Sequence, residues 1–275
     1  MLTLLTFLAF ILAGFVGSLL GLGGGIIVIP IVTLVLGVDI HMAIGASIVA
    51  VIATSSASAS SYVREGVANL RLATYLELAT TTGALVGALM ASHIPSRGLA
   101  VLFALLLLYS AYNMFQRRNM ELPEGVLPHP LATKLKLHNR YYDRLLSKAV
   151  DYNVTGMYAG FGIMELAGIL SGLLGIGSGM LKVLGMDTAM RLPMKVSTAT
   201  SNLMIGVTAA ASAWYYLAHG MIDPRLTAPI ALGIFIGAKI GSAVMGHIPS
   251  AWLRKAFVPV LLYVAVTMLW RGLHG

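Results

Sequence analysis

Two glycine-rich pentapeptides, GLGGG at 21–25 and GIGSG at 175–179, interrupt apolar sequence where helices would otherwise continue. Gly is among the poorest helix formers, so Gly21, Gly23, Gly24 and Gly25, and again Gly175, Gly177, Ser178 and Gly179, are expected to break a helix. At membrane depth the peptide groups freed by a break must face protein or a water-filled cavity. Where the helix restarts, its first N–H groups are unpaired and its dipole puts partial positive charge on them. Without a Cβ the backbone can be approached closely, and helix starts of this kind hold sulfate or phosphate. The chemistry implied is reversible anion binding by neutral donors. The competing use of Gly is close helix packing, which is the expectation for Gly83, Gly87, Gly237 and Gly241.

Hydroxyl and amide side chains cluster after each break. Ser47, Thr54 and Ser55 follow the first, and Ser197, Thr198, Thr200, Ser201 and Asn202 the second. They can hydrogen-bond an anion while remaining neutral, or equally cap carbonyls and join helices. A charge at mid-depth costs roughly 2.5 to 3.5 kcal/mol on insertion scales, so each one needs a partner or a purpose. Lys182, three residues after the second break, has Val28 as its counterpart in the first half and is the candidate fixed positive charge at the substrate. Glu165 and Lys239 fall within helices; they are expected to pair, or Glu165 to carry a proton that couples transport. Glu77 lies nearer a helix end and is expected to snorkel. His93 and His247 open identical HIPS tetrapeptides and read as caps, not metal ligands.

The elements that must position these groups follow from composition and repetition. Hydrophobic residues make up 58% of the 275 and charged residues 10%, the signature of a polytopic membrane protein. The first stretch, 2–20, lacks a basic leader and a cleavage site and reads as a retained helix. The absence of Cys excludes disulfides, thiolate metal sites and thiol nucleophiles.

A shift of 154 residues lays Gly21, Gly23 and Gly25 on Gly175, Gly177 and Gly179, Gly83 and Gly87 on Gly237 and Gly241, and HIPS at 93–96 on HIPS at 247–250. The chain is therefore a duplicated unit, with repeats at 1–116 and 154–275 joined by a basic linker at 117–153. Spans are expected near 2–20, 25–37, 42–62, 70–91 and 98–116, then 154–174, 179–190, 196–218, 226–246 and 251–271. The second of each set is too short to cross a bilayer comfortably.

The linker carries Arg117, Arg118, Lys134, Lys136, Arg140, Arg144 and Lys148. Leu131, Leu135, Leu145 and Ala149 would give it a weakly amphipathic surface helix; otherwise it is a solvated basic loop. If the short element completes a crossing, the linker, Arg64, Arg71, Arg191, Lys195, Arg254 and Lys255 put thirteen basic residues on one side against three on the other. If it does not, the halves are parallel and the tally is eleven against five; the stronger bias makes the expected fold class an all-α membrane protein of two inverted repeats, five spans each, with a cytoplasmic linker. Inverted repeats place a binding site at their interface and give two conformations, open to opposite sides.

The strings GSLLGLGGGIIVIP at 17–30, SGLLGIGSGMLKV at 171–183, PMKVSTATSNLMIGVTAAASA at 193–213 and HGMIDPRL at 219–226 resemble the TauE/SafE sulfite exporter family, also called the TSUP family. The sequence departs from the family pattern at Ser178 and Leu184, where Gly and Pro are usual. The resemblance implies a transporter in the cytoplasmic membrane of a prokaryote that moves sulfite, sulfonates or related sulfur-containing anions. Its partners would be a small anionic substrate, membrane lipid and a coupling proton, with no nucleic acid, cofactor or metal. A passive anion channel is the alternative. An enzyme is not expected, because Ile176 spoils a G-x-S-x-G elbow at Ser178 and Ile26 spoils a G-x-G-x-x-G phosphate loop.

Overall fold

Carbonyl-to-backbone packing through glycine sets the arrangement of the helices. The computed structural model describes residues 2–116, 125–143, 146–245 and 250–274. Arg117, Arg118, Arg144, Leu145 and His247 lie outside the described residues, and of Arg254 and Lys255 only the helical backbone is described. The first half contains α1 (Leu2–Leu20), α2 (Gly25–Pro30) continued by one π-helical turn at Ile31–Val35, α3 (Ile40–Arg64), α4 (Leu70–Ala91) and α5 (Ser96–Gln116). The second contains α7 (Met157–Leu174), α8 (Gly179–Thr188), α9 (Met194–Ala218), α10 (Pro224–Val244) and α11 (Ser250–His274). Between them lie α6 (Pro130–Lys134) and a hairpin of β1 (Asn139–Asp143) and β2 (Lys148–Tyr152).

Helix starts are fixed by local chemistry. Asp39, Asn69 and Asp223 accept backbone N–H groups at the starts of α3, α4 and α10, satisfying donors that have no helical partner. The stops of α1 and α7 are equally local: Gly21 and Gly175 adopt φ of +71° and +62°, a left-handed conformation that ends a helix and that Gly enters without penalty. Beyond the first stop the chain doubles back, so that a Cβ on Gly24 would touch Ala13 O and Thr54 Oγ1.

Each half completes the other. α1 lies along α10, α4 lies along α7, and α3 crosses α9 at the centre. The contacts come in pairs related by the 154-residue shift. A Cβ on Gly14 would strike Ile234 O, and one on Gly168 would strike Thr80 O; Gly83 and Gly237 meet Glu165 O and Ile11 O in the same way. Gly87 and Gly241 meet Ile169 O and Phe15 O. These glycines serve packing, as expected, by letting backbones approach. Gly272 near the end of α11 rests on Arg97 O near the start of α5, so those two helices run antiparallel.

The spanning part is an all-α polytopic membrane protein. Among the described residues five helices are long and apolar enough to cross a bilayer, for example Ile40–Arg64 and Pro224–Val244. α9 lies outside that set, and its buried hydroxyls are concentrated at the centre of the protein.

The linker departs from both expectations. Instead of a surface helix through Leu135 and Ala149, or a solvated loop, α6 stops after five residues and the chain pairs Asn139 with Tyr152 through Asp143 with Lys148. Tyr141 and Asp143 are buried while Arg140 and Tyr142 are exposed, the alternation of a half-buried strand and not of a helix. The hairpin is docked: Lys195 at the start of α9 bonds Asp143 at 2.8 Å, and Asn69 donates to Leu137 O and Tyr152 Oη. On the outer edge Arg140 hydrogen-bonds Asp151 and holds its carboxyl below the ordinary carboxylate range.

Two substitutions test the packing directly. A Cβ on Gly179 would lie 2.0 Å from Gly21 O, whereas none of the atoms around exposed Gly162 comes within 4 Å. Gly179→Ala is expected to destabilise by about 1–3 kcal/mol, and Gly162→Ala to be neutral or stabilising by up to about 1 kcal/mol. Thermal melts of the two detergent-solubilised variants check both; equal melting temperatures would contradict the packing.

Candidate functional site

The two breaks come together at the centre. Gly179 abuts Gly21 O, and a Cβ on Gly25 would lie 3.1 Å from Ile176 Cα. Gly23 and Gly177 share one pair of neighbours, Val51 of α3 and Ile205 of α9, which are themselves 154 residues apart. Both side chains are buried and cover the broken backbone.

The hydroxyls are also here, and three of them, on Ser47, Thr54 and Ser201, face the motifs' carbonyls. Ser47 Oγ donates to Gly175 O at 2.7 Å, and its repeat mate Ser201 donates to Gly21 O at 3.1 Å, a reciprocal exchange between the halves. Ser201 also lies 3.1 Å from Gly179 O, so it touches both breaks. Thr54 donates to Gly23 O at 3.0 Å, Ser55 to Asn202 O at 2.6 Å, and Asn202 Nδ2 to Ser18 O at 2.7 Å. The carbonyls that a break leaves free are thus capped, while each hydroxyl oxygen keeps lone pairs to accept with.

Donors for a ligand come from elsewhere. Neither α2 nor α8 has a side-chain cap at its start, so the N–H groups of Gly179, Met180 and Leu181 have no partner from the helix itself. Ser178 holds φ of +47°, a conformation costing a non-Gly residue about 1–2 kcal/mol. The hydroxyls of Ser178 and Ser197 and the Oδ1 of Asn202 are buried without a hydrogen-bond partner among the described residues. Thr198 packs its backbone against Gly21. Thr200 turns away, accepting from Asn69 N at 3.0 Å and so fastening the start of α4.

Lys182 is completely buried. Its ammonium donates to Thr208 of α9, whose hydroxyl in turn donates to Glu77 Oε1 at 2.7 Å and lies 3.2 Å from Thr80 Oγ1. Glu77 was expected to snorkel from a helix end; instead it reaches inward, because α4 runs beside α9 and brings Glu77 level with Thr208. Glu165 is not in an ion pair with Lys239 among the described residues. Its Oε2 accepts from Thr82 at 2.9 Å, and Lys239 sits on α10, which packs against α1 and α3.

Sequence reasoning missed Thr208 as well as Glu77. The repeat carried the signal, since Thr208 is the mate of Thr54, already singled out, and Tyr62 is the mate of Tyr216. These tyrosines donate to Ser18 O and Gly172 O, mates again, and hold the ends of the two broken helices.

The family described as "Sulfite exporter TauE/SafE" matches residues 6–268. The chain is similar to the probable membrane transporter protein YunE of Bacillus subtilis (strain 168), 23% identical over 96% of each chain. It is 28% identical to the probable membrane transporter protein YdhB of the same organism, over 92% of this chain and 93% of that one. With a probable membrane transporter protein of Xylella fastidiosa (strain 9a5c) it shares 27% over 95% of this chain and 92% of that one. No solved structure gives a significant match. The match over residues 6–268 places this multi-pass membrane protein in the TauE/SafE sulfite exporter family.

Proposed function

We propose that the protein is a secondary transporter of small anions, of the sulfite or sulfonate class, working by alternating access between inverted halves 1–116 and 154–275 joined by a cytoplasmic linker at 117–153. The observation that carries this reading is the reciprocal stitching of the breaks, Ser47 to Gly175 O and Ser201 to Gly21 O. Equivalent residues making equivalent bonds across the halves give the mirror-related arrangement nearly the same energy, which is the condition for a two-state carrier. Inversion is supported by the antiparallel course of α5 and α11, which are repeat mates. It is supported too by the doubling back after Gly21, which gives each half an odd number of legs.

The substrate would sit where Gly23 to Gly25 and Gly177 to Gly179 converge. There it would meet the uncapped start of α8, the hydroxyls of Ser178 and Ser197, and the Lys182 charge. Val51 and Ile205 over this point favour a carrier over an open channel, because they must move aside before the backbone is reached. Proton coupling requires a carboxylate near the site, for which Glu165, held by Thr82, is one candidate.

Binding is tested by thermal shift of the purified protein with sulfite, thiosulfate, sulfoacetate, taurine and simple carboxylates. A ligand of the native state raises the melting temperature, so stabilisation is expected from the sulfur oxyanions, and a carboxylate-only response would remove them as the substrate class. Lys182→Met should weaken the apparent affinity for the stabilising anion tenfold or more, since a hydrogen bond to a charged group is worth about 1.5–3 kcal/mol. Unchanged affinity in a folded Lys182→Met protein would take Lys182 out of the site. Topology is checked separately. Single cysteines at Asn139 and His274, in a chain that has none, should react with impermeant maleimide from opposite faces of the membrane; labelling of both from one face would exclude inversion.

A further inference from the structure

The pseudo-symmetry fails at one place. Lys182 and Glu77 have Val28 and Ala231 as their repeat mates, so only one of the two equivalent places carries this cation and carboxylate. The first half seals its break with Thr54 bound to Gly23 O. In the second half the equivalent Thr208 stands between Lys182 and Glu77.

Glu77 has the setting of a group that changes charge. Its Oε1 accepts from Thr208 at 2.7 Å and lies 3.4 Å from Thr81 Oγ1, while Oε2 is buried without a hydrogen-bond partner among the described residues. The residue is half-buried and floors a groove of about 510 Å³ between α4 and α9. The walls include Leu203 and Val207, and Thr74, Glu77, Thr81 and Thr82 of α4 form a polar stripe along them. The groove begins at Leu70, the start of α4, where the docked hairpin ends. It gives Glu77 an approach that Lys182, wholly enclosed, does not have.

Among the described residues the groups facing Glu77 are few. Lys182 of α8 lies across Thr208. From α7 the acidic group is Glu165, a turn along α4 and held by Thr82; Tyr158 of α7 is exposed and lies by His129. From α9 the facing group is the Thr208 hydroxyl; Lys195, at that helix's start, is engaged by Asp143.

We infer that Glu77 is the proton-binding site of the carrier, the carboxylate that neutralises Lys182 through Thr208 when no anion is bound and is protonated when an anion takes its place. The inference rests on the anion-carrier reading. An ionised Glu77 and a charged Lys182 sum to zero, which suits a buried pair. An anion arriving at the start of α8 adds a negative charge to that pair, and one proton from the groove removes it by forming a Glu77 O–H bond. Lys182 keeps its three N–H bonds, and no other bond is made or broken. For a monoanion the loaded and empty sites are both neutral, so the anion and the proton move together.

Linkage fixes the sign of the pH effect. Anion affinity is highest with Glu77 protonated and falls as pH rises, by about tenfold per unit once the empty site is deprotonated. The test uses methanesulfonate, whose own charge is constant between pH 5 and 8. Wild-type protein is expected to bind about one proton per methanesulfonate in weakly buffered solution, and to lose affinity with the tenfold slope. In Glu77→Gln the slope and the proton uptake should vanish while methanesulfonate exchange across proteoliposomes continues.

Binding by the wild type without proton uptake would overturn the inference, and needs no variant to fold. A slope retained in Glu77→Gln and lost in Glu165→Gln would overturn it equally and assign the proton to Glu165. Absence of exchange of both methanesulfonate and sulfite by the wild type is a different failure: it sinks the carrier reading on which the inference rests.

Discussion

A helix that breaks in the middle of a membrane protein exposes peptide carbonyls where hydrocarbon offers nothing to bond them, and the rest of this structure follows from how that demand is met. Each half supplies the hydroxyls that cap the other half's break. Ser47 serves Gly175 and Ser201 serves Gly21, so neither half has a satisfied core alone. Two long helices, α3 and α9, must then lie side by side at the centre to present those hydroxyls. Once they do, the flanking helices can close around them only by exchanging places between the halves, α1 against α10 and α4 against α7.

The breaks, the duplication and most span limits were legible in the sequence because each has a local cause. Gly at left-handed positions stops α1 and α7; Asp and Asn caps start α3, α4 and α10. What the sequence could not give was the direction in which a side chain is turned once helices meet. Thr200 looked like its neighbours Thr198 and Ser201, yet helical periodicity carries it round to Asn69. Glu77 looked peripheral because its distance along α4 was visible and its closeness to Thr208 was not. The linker was misread for a related reason: its leucines suggest a helix, but the alternation that buries Tyr141 and Asp143 has the period of a strand.

Departures from symmetry matter as much as the symmetry. The shared frame accounts for closure around a central point, and the residues without a counterpart, Lys182, Glu77 and Ser178 against Val28, Ala231 and Gly24, distinguish one interface from the other. Glu77 lies on α4, Lys182 on α8, and Ser178 immediately before the start of α8. A strained Ser, a buried cation and a carboxylate are each unfavourable taken singly. Glycine contacts line both interfaces, and these three residues are added to one of them.

The exchange of helices between halves also governs how the chain can be made. During synthesis α1 enters the membrane long before α10 exists, and the glycine-lined track that will receive α10 must wait through some two hundred further residues for its partner. Until then the first five elements have no closed structure to settle into, so insertion and folding are separated in time. A ribosome that stalls within the second half releases a product with its packing face open to lipid and to other copies. Quality control in the cell would therefore read completion of α10 as the commitment step, and a nascent chain arrested before Pro224 as a target for membrane proteases.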